Sequence, residues 1–257
     1  MENIITLDHV CMYFGGVKAV DDLSLQVQQG EIIGIIGPNG AGKTTVFNLL
    51  SGVYIPTSGD IFFRDKRLNK LPPHIITSSG VARTFQNIRL FGRLSALDNV
   101  LVAFYSRIKY GLIDILLNSH KKINEEGEIK AEALRLLELM GLKEKAEVAA
   151  SNLAYGEQRR LEIARALACR PEVLLLDEPA AGMNPLEIDE LNQTIARLRD
   201  QFGLTILLVE HQMRLVMGIC ERVLVMNFGK KLALGSPSEI RNNPEVLEAY
   251  LGKVHQS

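Results

Sequence analysis

Tryptophan is absent and aromatic residues make up only 6% of the 257-residue chain, which counts against modules that stack single-stranded nucleic acid. Charge of one sign is lacking too. Twenty-nine Lys and Arg stand against 30 Asp and Glu, for a net charge of −1. That balance supports neither a basic nucleic-acid surface nor an acidic solvating tail. Cysteine is scarce: Cys11, Cys169 and Cys220 are far apart and form no C-x-x-C pair, so neither a zinc ribbon nor a thioredoxin-type site is supported. The odd count in a chain of this size points to a reducing compartment and three ordinary buried thiols. Long apolar runs are missing. None approaches the ~18 residues that a membrane span needs, and stretches such as Leu204 to Val209 are strand-sized. The N-terminus has no basic flank or apolar run of a signal peptide. Any membrane role is therefore expected to run through a partner. What is present is ordinary globular material, 47% apolar and 23% charged, enough chain for a sizeable core in one large or two modest domains.

There is no solenoid-period repeat and no low-complexity segment. Strand and helix signals alternate, which predicts an α/β fold with a largely parallel core sheet. Ile32 to Ile36, Val173 to Leu176 and Leu204 to Val209 are apolar throughout, as buried parallel strands are. A Gly-rich loop and a helix from Lys43 to Ser51 follow the first of them. Ile188, Leu191, Ile195 and Leu198 recur at helical spacing between the last two. Leu23, Leu25 and Val27 alternate, as does Ile61-Phe62-Phe63, which suggests an antiparallel sheet beside the parallel core. Between about 88 and 168 the periodicity turns helical, at Ala133, Leu136, Leu137 and Met140. The expected organisation is a phosphate-loop core with an N-terminal antiparallel β subdomain, in residues 1–86 and 169–257, and a helical subdomain inserted at 87–168. Arg222 to Leu234 reads as two strands around Asn227-Phe228-Gly229, and a short helical tail closes the chain.

Gly37-Pro38-Asn39-Gly40-Ala41-Gly42-Lys43-Thr44-Thr45 fits G-x-x-x-x-G-K-[ST]. Phosphate oxygens need several donors at once, and glycines let backbone N–H groups turn inward. A helix opening near Gly42 aims its positive end at the same oxygens. Lys43 supplies a cation for the β and γ phosphates, and Thr44 a hydroxyl for Mg²⁺.

Asp177 and Glu178 follow four apolar residues, at the strand edge where open α/β sheets bind ligands. Asp177 suits Mg²⁺, which keeps much of its hydration, and Glu178 could polarise an attacking water. The plainer alternative is two carboxylates capping a strand end. His211 stands at the equivalent edge after Val209. It would bond the γ-phosphate or the water, or else serve as a structural hydrogen bond or helix cap. Gln86 follows Val81 to Phe85 and could reach Mg²⁺ or the water; alone it has no significance.

In this order the motifs resemble those of a nucleotide-binding domain of the ATP-binding-cassette (ABC) family, across nearly the whole chain. Gly37–Thr45 matches the Walker A loop and Gln86 the Q-loop. Leu153-Ala154-Tyr155-Gly156-Glu157-Gln158 takes the place of the signature motif. Leu174 to Pro179 matches Walker B with its catalytic Glu178, Gly182-Met183-Asn184-Pro185 the D-loop, and His211 the switch histidine. The resemblance implies an ATPase using ATP and Mg²⁺, the metal being held by Thr44, Gln86 and Asp177. It implies a head-to-tail dimer with two ATP molecules between subunits, each Walker A loop facing the other subunit's signature helix, which would open at Gly156. It also implies an aromatic residue on adenine: Phe14 by spacing, with Tyr13 as runner-up, and a core role as the alternative for either. Two residues depart from the pattern. Ala154 and Tyr155 replace Ser and Gly, so Ala154 offers no hydroxyl, and Asn184 replaces Asp.

The finer similarity is to the ATPases of branched-chain amino-acid importers, carried by Arg83-Thr84-Phe85-Gln86, Asn152 to Arg165 and Pro179 to Pro185, and by the length of the segment from Tyr105 to Glu126. That resemblance implies permease partners docking on roughly residues 87–105, a second cassette as homo- or heterodimer, an indirect solute-binding protein and no nucleic acid. The location would be the cytoplasmic face of the cell membrane, through the permease. Cassettes for urea or other amide solutes, soluble ABC proteins and a non-catalytic ATP switch are the rival readings. One cassette, no long heptad segment and no basic balance weigh against the soluble proteins; Glu178 and His211 weigh against the switch.

Overall fold

Apolar and polar side chains alternate at Leu23, Leu25 and Val27, and the chain there forms β2 (Val17–Gln28), which pairs antiparallel with β1 (Asn3–Phe14), Leu7 opposite Leu25. A computed structural model describes residues 2–104, 114 and 119–251. They fall into two units, Met1–Arg83 with Glu172–Ser257, and Thr84–Pro171. In the first unit β3 (Ile32–Ile36) is buried at every position, so it shows no alternation and must be covered on both faces. The Gly-rich loop leads into α1 (Lys43–Leu50). Then come β4 (Ser58–Phe63), β5 (Lys66–Arg67), α2 (Pro73–Ser79) and β6 (Val81–Arg83).

The second unit holds α3 (Ala96–Phe104), α4 (His120–Leu139) and α5 (Tyr155–Ala168). The helical stripe Ala133, Leu136, Leu137 and Met140 is buried along with Val100 of α3 and Leu161 of α5. Of the segment from Tyr105 to Glu126, residues 105–113 and 115–118 lie outside the described residues.

The first unit resumes with β7 (Val173–Asp177), α6 (Pro185–Phe202), β8 (Thr205–Val209), α7 (Met213–Ile219), β9 (Arg222–Asn227), β10 (Lys230–Gly235), α8 (Pro237–Arg241) and α9 (Pro244–Leu251). Asn184 caps α6: its Oδ1 accepts the N–H groups of Leu186 and Glu187, and Pro185 follows at the first helical position. Ile188, Leu191, Ile195 and Leu198 are its buried face. The antiparallel sheet has the order β2-β1-β4-β5, and the six-stranded sheet the order β10-β9-β3-β8-β7-β6, parallel except for the terminal β9–β10 pair. Side chains from both sheets and from α1 share one core, in which Phe47 is fully buried. Truncating such a Phe to Ala costs about 3–5 kcal/mol.

Register decides where the functional loops emerge. Ile35 of β3 and Asp177 of β7 both pair with Val209 of β8. The three strands therefore stop together, and the chain leaves them at Gly37, Glu178 and Glu210 along a single sheet edge.

Candidate nucleotide site

The phosphate loop depends on two glycines. Gly37 has φ 151° and Gly42 φ 102°. A Cβ at Gly37 would run into the Met226 carbonyl oxygen, and one at Gly42 into that of Ala19. Helix α1 has no side-chain cap and no acidic residue in its first turn. Its positive end and first-turn N–H groups are thus left to an anion. Lys43 is buried, with its Nζ donating to the carbonyls of Gly37 (2.7 Å) and Pro38 (3.0 Å). Burial lowers its pKa, opposed by the charges of Glu178 and Asp177. Thr44, next along, is exposed.

At the end of β7 the Asp177 carboxylate is 1% exposed and takes a 2.7 Å ion pair from Arg83 Nη2. Arg83 Nη1 donates to Asn48 Oδ1 (2.7 Å) and Ser51 Oγ (3.0 Å), and the guanidinium lies over the Phe47 ring. One buried cation thus ties β6, the last turn of α1 and Asp177 together. Sequence reasoning used Arg83 only for resemblance and gave it no role; a lone Arg after two apolar residues carries no signal of this tie. Glu178 turns sharply off the strand at φ 48°, a conformation costing a non-Gly residue about 1–3 kcal/mol and concentrated at functional sites. Its N–H donates to the Val209 carbonyl (2.8 Å), and its Oε1 lies 3.3 Å from His211 Nε2.

Glu210, between Val209 and His211, is a second residue without an assigned role. Its carboxylate is buried and accepts three backbone N–H groups, from Ala180 (2.8 Å), His211 (2.7 Å) and Gln212 (2.9 Å). Burial raises its pKa; the three donors pull the other way. The signal that found Asp177, a carboxylate ending an apolar run, was available here as well.

At the other end of β1, Tyr13 and Phe14 part company. The Tyr13 hydroxyl donates to Asp21 Oδ1 at 2.7 Å and Lys18 Nζ sits 5.4 Å from its ring, while Phe14 is exposed and meets Tyr54 edge-on at 5.2 Å. Of the two rings, Phe14 is the more exposed.

The sequence profile described as ABC transporter matches residues 20–181. This chain belongs to that family. A second profile, branched-chain amino acid ATP-binding cassette transporter, matches residues 230–256. The high-affinity branched-chain amino acid transport ATP-binding protein LivG of Salmonella typhimurium is 50% identical over 98% of both chains. BraF of Pseudomonas aeruginosa, of the same description, is 46% identical over the same share. Among solved structures, the ADP conformation of MJ1267, an ATP-binding cassette of an ABC transporter, superposes with TM-score 0.86 at 28% identity, covering 98% of this chain and 100% of that one. The chain is an ABC ATPase, and the antiparallel sheet, the parallel sheet and the helical unit are those of the cassette fold.

Gln86 and Leu153 to Gln158 lie in the second unit, and the phosphate loop in the first. Helix α5 opens at Tyr155, one residue before the expected Gly156, with Ala154 as its N-cap. Alanine has no oxygen to cap with. The Glu157 carboxylate reaches back instead to the Ala154 N–H (3.0 Å), and Lys145 Nζ neutralises it at 2.5 Å. Tyr155 is exposed, and its hydroxyl accepts from Arg159 (3.1 Å). Buried Arg159 also donates to the carbonyls of Phe85 (2.6 Å) and Gln86, and Glu162 accepts the Phe85 N–H (3.2 Å). Within this unit, α5 thus holds the backbone at Phe85 and Gln86.

Proposed function

We propose that this ABC ATPase energises an importer of branched-chain amino acids. The observation that carries the catalytic reading is the Glu178–His211 pair, 3.3 Å apart on the sheet edge that also launches the phosphate loop. ATP phosphates take backbone N–H groups of the Gly37–Thr45 loop, to which Pro38 contributes none, and Lys43 Nζ trades its two carbonyl partners for β- and γ-phosphate oxygens. The exchange favours the charged amine, because phosphate offsets the burial that lowers its pKa. Glu178 orients and accepts a proton from the attacking water, a role worth about 10²–10⁴ in rate. His211, beside Glu178, would hydrogen-bond the γ-phosphate or the attacking water. Phe14 offers its ring to adenine.

Among the described residues no three His, Cys, Asp or Glu side chains gather into a metal cage. Mg²⁺ needs none, since it keeps several waters and binds through one or two protein oxygens plus phosphates. The Thr44 hydroxyl and the Asp177 carboxylate, both of the first unit, fit that donor set. Bound there, the ion would neutralise charge developing on the phosphates.

The partners follow from the cassette. A second cassette, identical or different, would present the N-terminus of its α5 to this chain's γ-phosphate; in one solved cassette, MJ0796, the structure is dimeric. No described helix is long and apolar enough to cross a membrane, so attachment to the cytoplasmic membrane face runs through permease subunits. Their docking segment, residues 87–105, exposes Phe91 and Leu94. Buried Asn99 shapes that loop, exchanging hydrogen bonds with the Phe91 N–H (2.8 Å) and carbonyl (3.1 Å). The solute, delivered by a binding protein, touches other subunits.

The test is Glu178→Gln. ATP affinity should stay within about twofold while turnover falls at least about 100-fold, and an ATP-bound dimer should accumulate on size exclusion. Normal hydrolysis by this variant would mean that another group positions the water.

A further inference from the structure

We propose that Glu210 is a positioning residue for hydrolysis, its buried carboxylate fastening together the two chain segments that carry Glu178 and His211. The inference rests on the reading of that pair as catalytic.

The geometry is specific to both carboxylate oxygens. Oε1 accepts the N–H of Ala180, two residues beyond Glu178. Oε2 accepts the N–H of His211 and of Gln212. The backbone of Glu210 extends the tie, its own N–H facing the Ile35 carbonyl of β3 at 3.4 Å. One side chain therefore spans the exits of β7 and β8 and anchors to the strand that launches the phosphate loop. The Glu178 N–H bond to Val209 and the Glu178–His211 contact also join the exit of β7 to that of β8. Without the carboxylate, Ala180, His211 and Gln212 would each face a missing acceptor in a site where burial makes an unmade bond costly. A carboxylate 1% exposed is expensive to hold, as its raised pKa records. An apolar residue would fill the same space at lower cost, but it could not accept three N–H groups and so could not hold two loops at a fixed separation.

Glutamine separates this role from simple packing. It has the same shape but only one accepting oxygen, so its NH₂ must face either the Ala180 N–H or the pair from His211 and Gln212. One side of the tie is lost while volume is kept. In the full-length chain, Glu210→Gln should lower kcat at least tenfold, with the KM for ATP and the affinity for Mg-ADP within twofold of the unaltered chain. The double variant Glu210→Gln with His211→Ala should lose no more than about threefold beyond His211→Ala alone, because both act through one arrangement. If Glu210→Gln fails to bind Mg-ADP, Glu210→Asp takes its place under the same criteria, being charged but one methylene too short to span both sides. A kcat within twofold, a parallel loss of kcat and nucleotide affinity in both variants, or multiplying losses in the double variant would overturn the proposal. Normal turnover by Glu178→Gln would instead overturn the catalytic reading beneath it, so the two failures are told apart.

Discussion

Two helices in this cassette are proposed to receive phosphate at their N-termini, and their first turns are built in opposite ways. Helix α1 leaves Gly42 at φ 102°, with no side-chain cap and no acid in its first turn. Helix α5 leaves Ala154 in an extended conformation, and Glu157 in its own first turn folds back onto the Ala154 N–H. The first terminus keeps its donors and its positive end for the ligand, and it is organised by glycine geometry and by Lys43. The second carries its own anion, balanced by Lys145. A helix that must bind phosphate tightly does not cap itself. One that would join only with a partner subunit, as proposed for α5, can be stabilised in the meantime, with a carboxylate standing in part for the incoming charge.

The comparison can be broken at either end, and the largest effect belongs to α1. Lys43→Ala removes a cation that would make two charge-assisted hydrogen bonds to phosphate, each worth about 1.5–3 kcal/mol. ATP affinity, measured by calorimetry, should fall about 100-fold or more; unchanged affinity would sink the phosphate-loop reading. Gly42→Ala comes next. It places a Cβ against the Ala19 carbonyl oxygen at a positive φ, so the loop must reshape. A loss of about 1–3 kcal/mol of stability is expected together with weakened ATP binding, and normal values for both would show that the loop is not held in this form.

The effects at α5 are smaller. Glu157→Gln weakens a cap and removes a charge at the positive helix end, for about 0.5–1 kcal/mol in thermal or urea denaturation. The hydrogen bond from Lys145 holds the Glu157 carboxyl below its usual range, with the Ala154 N–H adding to it. A depressed folded-state pKa stabilises above the unfolded value of about 4.3 and is lost as pH falls through the folded value. The variant should therefore differ from the unaltered chain near neutral pH and converge with it in acid. A constant difference across pH would remove the electrostatic part of the account. Smallest of all, Ala154→Ser supplies a capping oxygen worth roughly 0.5–1 kcal/mol, with hydrolysis similar or modestly faster. A large loss of turnover would mean that the Ala-Tyr signature works in a different geometry.

Much of this was legible before any coordinates. The apolar runs Ile32 to Ile36, Val173 to Leu176 and Leu204 to Val209 are buried parallel strands because a strand covered on both faces has no polar side to show. The phosphate loop was legible because its glycines and Lys43 answer a chemical demand with little freedom. Arg83, Arg159, Glu162 and Glu210 were not assigned roles. Each is a charged residue within or beside an apolar segment, and its partners lie far along the chain: Arg83 with Asp177, Arg159 and Glu162 with Phe85, Glu210 with Ala180. Periodicity reports which face of an element is buried. It does not report which distant backbone group a buried charge will meet.

By itself, then, the sequence determined the cassette and its nucleotide chemistry and singled out the residues proposed to touch phosphate, since local patterns and short motifs specify strands, helix starts and donor sets. Tertiary structure alone decided how those residues are held. The common register of β3, β7 and β8 brings Gly37, Glu178 and Glu210 to one edge. Arg83 seats Asp177, and three N–H groups converge on one buried carboxylate. These are long-range pairings whose strength comes from burial, and burial is a property of the folded chain.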